Sequence, residues 1–177
     1  MASLQLRRVA HGLRAITVLT MLLVPLAIVL WLITQPLSGH MLQAVFPRIA
    51  VPAQLELWQI WGAYALSVGP LGVFLIMLWR LQVLLRVYAA GEALSDRAVG
   101  LIRGLGNCLI ALVLVGVITR AGQSVVLSWT NPPGERALAI GLGSQDIILL
   151  LMGGLLVLIG SALADGVRAV EENRGFI

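Results

Sequence analysis

The chain contains no lysine, one cysteine, two histidines and few charges of any kind. All twelve basic residues are arginine, and charged residues make up only 11% of the 177 positions. Each scarcity excludes chemistry. Without lysine there is no phosphate-loop amine, no Schiff base and no Ser-Lys hydrolase. Cys108 has no intramolecular disulfide partner, and no zinc-ligand spacing exists. His11 and His40 stand apart from each other and from any carboxylate cluster, so no metal or other cofactor is expected. No His, Cys, Ser or carboxylate constellation has catalytic spacing, which argues against an enzyme. The net charge of +4 does not indicate direct nucleic-acid binding, because the arginines form no groove-binding stripe.

What is abundant is apolar surface. Hydrophobic residues reach 59%, where soluble domains hold roughly 45–50%. One soluble core of this length cannot hide so much, but a bilayer can. Crossing the hydrocarbon takes about 20 mostly apolar residues in a helix. Charge-poor stretches of that kind fall at 13–34, 57–79, 105–129 and 147–164. The expected fold is therefore an all-α membrane protein, a single domain of four transmembrane helices arranged as two helical hairpins. Arg7, Arg8 and Arg14 precede the first span as in a secretory signal. Its apolar run is longer than a signal's, however, and no small-residue cleavage site follows, so it reads as an uncleaved helix.

Arginine also sets the orientation. Nine of the twelve fall in the N-terminal segment, the middle loop and the C-terminal segment. Only Arg48 and Arg136 fall in the two other loops, and Arg120 lies within the third span. The excess of positive charge on one side predicts both termini in the cytoplasm. Trp31, Trp58, Trp61 and Trp129 fall at the outer span ends and Trp79 at an inner one, as amphipathic indoles prefer.

Punctuation between spans is readable. Gly91 predicts the stop of a second helix that overruns its span. Ser95 predicts the N-cap of the third, with Asp96 at its positive end. Gly175 predicts the end of a fourth that also overruns. Aligning residues 72–95 with 154–177 superposes Leu81 on Leu163 and Arg86 on Arg168, a hint of duplicated hairpins. In the outer loops, Ile49/Val51 and Leu138/Ile140/Leu142 alternate as in half-buried strands and suggest a small β-element. Pro25 and Pro70 predict mid-span kinks, with Thr20 and Ser67 near enough to satisfy the freed carbonyls. Gly100/Gly104, Ala65/Gly69 and Gly160/Ala164 are small-residue pairs that let helices approach, within the chain or across a homodimer.

Two segments, LLRVYAAGEALSDRAVGLIRGLG (84–106) and GGLLVLIGSALADGVRAVEENRGFI (153–177), resemble the paired signatures of a bacterial membrane family known as domain of unknown function 2975. Tyr88, Gly91, Glu92 and Ser95 match its middle loop, with Leu94 in place of the usual phenylalanine. Gly166, Val167, Arg168, Glu171, Glu172 and Asn173 match its end, whereas Gly175, Phe176 and Ile177 depart from it. The resemblance implies four membrane helices in the bacterial cytoplasmic membrane and no established activity. It also implies a neighbouring helix-turn-helix transcription regulator as partner, hence a sensor or tether. The competing expectations are an accessory subunit of a larger membrane complex and a small transporter of a lipophilic or anionic compound.

Two candidate sites follow. An intramembrane arginine is costly and usually partnered. Arg120, with Gln123, Glu56 and Asp146 at similar depth, forms a candidate outward-facing polar site. The alternatives are a snorkelling arginine and a structural ion pair. On the cytoplasmic side, Arg86, Tyr88, Glu92, Arg97 and Arg103 face Asp165, Arg168, Glu171 and Glu172 if the two projecting helices lie side by side, a candidate docking platform. The alternative there is a solvated, self-paired helix end.

Overall fold

Lipid offers no water to the peptide groups, so each apolar run must satisfy its own backbone, and a helix does so. The computed structural model describes residues 2–34, 52, 55–92, 95–132 and 134–174, with the terminal helices' side chains described over 12–30 and 144–167. It contains four helices, α1 (Ala2–Thr34), α2 (Leu57–Ala89), α3 (Asp96–Ser128) and α4 (Ser144–Arg174). All four are long and apolar enough to cross a membrane. Their large apolar side chains point outward. Leu22, Ile118, Leu151 and Leu158 are each about two-thirds exposed, the inverse of a water-soluble surface and the pattern of one solvated by lipid.

Each helix touches its sequence neighbour, α1 on α2, α2 on α3 and α3 on α4. The α2–α3 and α3–α4 contacts are antiparallel. Gln59 of α2 meets the C-terminal end of α3 at Val126 and Leu127, while Arg80 lies against Gly104 near the N-terminal end of α3. Arg120 pairs with Asp146 at the start of α4, while Gly106 meets Gly153 and Arg103 meets Gly160 further along. Leu84 and Val87 of α2 form a core with Ala98, Ile102 and Leu105 of α3. Leu81 and Leu163, aligned when residues 72–95 are laid on 154–177, both pack against it.

The α2–α3 turn follows its sequence signals. Gly91 adopts φ 88, and the Glu92 N–H donates to the Val87 carbonyl, closing α2 with a left-handed glycine cap. The Ser95 hydroxyl accepts from the Ala98 N–H at 3.2 Å and starts α3.

The α3–α4 loop departs from expectation. No strand forms among the described residues, and Ile49 and Val51 lie outside them. Residues 137–142 alternate with the opposite parity. Ala137 and Ala139 turn inward against Ala63 and Leu127, while Leu138, Ile140 and Leu142 turn outward. The reason is local. Ser128 and Ser124 of α3 accept from the Ala137 and Ala139 N–H groups at 3.2 and 2.9 Å. Side-chain hydroxyls replace a partner strand, and only small residues fit so close to a helix.

Two of the expected small-residue pairs let helices approach: a Cβ at Gly69 would stand 3.2 Å from Val115 Cγ1 of α3, and one at Gly160 3.2 Å from the Arg103 backbone nitrogen. Gly104 and Gly160 lie under the side chains of Arg80 and Arg103, and Gly100 faces open space. The close crossing of α3 and α4 is at Gly106 and Gly153. A Cβ at Gly106 would stand 2.6 Å from the Gly153 carbonyl oxygen, and one at Gly153 2.9 Å from that of Gly106.

Candidate functional site

Asp146 lies in the first turn of α4. Its Oδ2 accepts from the Gly143 N–H at 2.8 Å and from Arg120 Nη2 at 2.7 Å. The aspartate side chain is 11% exposed and the arginine side chain 43%. The carboxylate is thus fixed by its own helix end, and the guanidinium is half free. Arg120 turns back over Gly116 on the preceding turn, whose missing side chain leaves it room. Arg120–Asp146 is the one ion pair among the described residues. The arrangement presents a half-exposed guanidinium whose one described anionic partner is held in place by the Gly143 N–H.

The other two residues expected at this site face elsewhere. Gln123 Nε2 donates to the Ala63 carbonyl at 3.0 Å and to Ser67 Oγ at 2.9 Å, joining α3 to α2. Glu56 caps α2 in a capping box with Gln59, and its carboxylate accepts from the Trp58 indole. Depth placed all four together. Direction around the helix separates them, because α3 has α2 on one side and α4 on the other.

Sequence reasoning passed over the polar seam between α2 and α3. Gln59 is fully buried, and its amide donates to the carbonyls of Val126 and Leu127 at 3.1 and 3.2 Å and to Thr130 Oγ1 at 3.3 Å. Thr119 Oγ1 donates to the Leu66 carbonyl at 3.2 Å. That carbonyl is the one Pro70 cannot reach, since proline has no N–H to give the residue four before it. Ser67, expected to serve there, instead bonds the Ala63 carbonyl, and Thr20 bonds that of Ile16. The available signal was polar residues recurring at helical spacing in apolar spans: 59 and 67 in α2, 119 and 123 in α3.

At the other end, Arg86, Glu92, Arg97 and Arg103 are exposed, and Tyr88 packs on the inner core. No ion pair joins these arginines to Glu92 or Asp165 among the described residues. Arg168, Glu171 and Glu172 lie in the last turns of α4, with side chains outside the described set. No family model, curated protein or solved structure matches this chain.

Proposed function

We propose that the chain is a multi-pass protein of the bacterial cytoplasmic membrane, with both termini inside and its helices arranged as two hairpins. It senses an outer polar or anionic signal and tethers a cytoplasmic helix-turn-helix regulator. The observation that supports this most is the Arg120–Asp146 pair, a half-exposed latch between the outer ends of α3 and α4. The helices it joins are long. A 33-residue helix such as α3 extends roughly 50 Å, against about 30 Å of hydrocarbon. An anion competing for Arg120 loosens the outer end of a seam whose other end emerges beside the charged residues Arg86, Arg97, Arg168, Glu171 and Glu172. The resemblance of residues 84–106 and 153–177 to domain of unknown function 2975 supplies the partner class.

Affinity purification from a mild detergent extract tests the reading, with regulators identified by mass spectrometry. A helix-turn-helix regulator is expected with the native chain, depleted when Arg168 and Glu171 are both replaced by alanine, and altered in yield by Arg120→Ala. Recovery of no such regulator with any form would argue against the tether.

A further inference from the structure

At the end of the spans that carries the α2–α3 turn, Arg80 and Arg103 pair with no acid among the described residues. Arg80 follows the exposed Trp79, so it sits at interface depth. Its side chain does not extend into water. It lies inward across Gly104 of α3, where any Cβ would collide with Nη1, and its Nε is buried with no hydrogen-bond partner. Arg103, adjacent to Gly104, lays its stem across Gly160 of α4 and is exposed overall. Asn107 is exposed one turn further on, three residues from Gly104 and four from Arg103, hence a surface neighbour of both.

The face of α3 fixes what these groups meet. Gly100, Arg103, Asn107, Leu114 and Ile118 are all exposed and recur at helical spacing. Leu114 and Ile118 face lipid tails, so Arg103 and Asn107 on the same face reach the headgroup layer. Gly100 has nothing within 4 Å, which leaves open room beside them. Glu92, Asp96 and Asp165 are the described acids of this end, and none pairs with either arginine. A guanidinium turned into a membrane seam without a counter-anion is costly. Two guanidinium groups and an amide, all set against the 103–107 stretch of α3 and with no described carboxylate paired to either arginine, suit a tetrahedral oxyanion.

We propose that Arg80, Arg103 and Asn107 form a phosphate-binding site at this end of α2, α3 and α4, filled by a lipid headgroup phosphate or by free phosphate. Native mass spectrometry of the full chain, stripped of lipid in detergent, tests it against phosphatidylglycerol and against diacylglycerol, which has the same tails and no phosphate. Phosphatidylglycerol is expected to be retained and diacylglycerol not. Arg80→Gln and Arg103→Gln should each weaken retention by about tenfold, the loss of one charge-assisted hydrogen bond. Asn107→Leu should weaken it less, and Arg14→Gln should leave it unchanged. Thermal unfolding in lipid-free micelles with inorganic phosphate, compared with equal chloride, assigns the source. A phosphate-specific rise that Arg103→Gln removes supports a free anion, and retention of the lipid alone supports a headgroup. Should Arg80→Gln fail to fold, the exposed positions Arg103 and Asn107 decide. Equal retention of the two lipids together with no phosphate-specific shift overturns the site, as does wild-type binding by both Arg103→Gln and Asn107→Leu.

Discussion

At the scale of single residues, the α2–α3 seam is organised around what Pro70 removes. Its ring leaves the Leu66 carbonyl without an N–H inside α2, and Thr119 donates from the neighbouring helix. The hydroxyl is therefore needed because of the proline. Thr119→Val keeps the side-chain shape and removes the donor, and is expected to cost about 1 kcal/mol. In a Pro70→Ala background, the substituted residue supplies the missing N–H, and Thr119→Val should become nearly neutral. Reversible unfolding of the four variants in mixed micelles measures the cycle. An identical cost for Thr119→Val in both backgrounds would show that the hydroxyl does something other than replace the lost bond. Gln59, also in this seam, was not legible as functional in the sequence. Nothing in a lone glutamine at a span's start distinguishes an interfacial amide from one that joins two helices.

At the scale of elements, α3 and α4 meet through glycine, and position decides which glycine matters. At Gly106 and Gly153 an added methyl would meet backbone atoms of the opposing helix at 2.6 to 2.9 Å, and backbone cannot rotate aside. Gly154, the next residue, faces open space. Gly106→Ala and Gly153→Ala should each destabilise by about 1–3 kcal/mol through overpacking. Gly154→Ala should be neutral or slightly stabilising, since alanine is the better helix former by about 1 kcal/mol. Melting temperatures of the three variants in one detergent check the order; equal shifts at 153 and 154 would contradict the crossing. Sequence alone located four long apolar helices, the Gly91 stop and the Ser95 cap, because lipid demands long apolar runs and turns demand particular residues. It did not locate the crossing or the partners of Gln123 and Glu56. In a membrane helix the lipid-facing and protein-facing sides are both apolar, so the 3.6-residue period that marks a buried face in water carries little information. Depth along the span was readable, which is why Asp146 was found. Direction around it was not, which is why Glu56 and Gln123 were grouped with Arg120. The parity of residues 137–142 failed for a local reason, since the Ser128 and Ser124 hydroxyls hold the Ala137 and Ala139 N–H groups against α3 and turn the larger residues outward.

At the scale of the whole molecule, helices that pack in sequence order make a serpentine row, and the row's orientation is a question of charge. Arg80, Arg86, Arg97 and Arg103 flank the α2–α3 turn, and Arg136 is the one arginine of the described α3–α4 loop. Retaining the arginine-rich turn in the cytoplasm is favoured, because arginine-rich short loops resist translocation. The single native cysteine, Cys108, is buried, so new cysteines report against a quiet background. Glu92→Cys in the exposed α2–α3 turn and Leu138→Cys in the exposed outer loop sample the two sides. A membrane-impermeant maleimide applied to intact spheroplasts should label Leu138→Cys at once and Glu92→Cys only after permeabilisation. The reverse pattern would invert the molecule and place the Arg120–Asp146 latch on the cytoplasmic side, where no external signal could reach it. Labelling of both from outside would mean that α3 does not cross the bilayer, and the contacts of Arg120 would then have to be read as those of a surface helix.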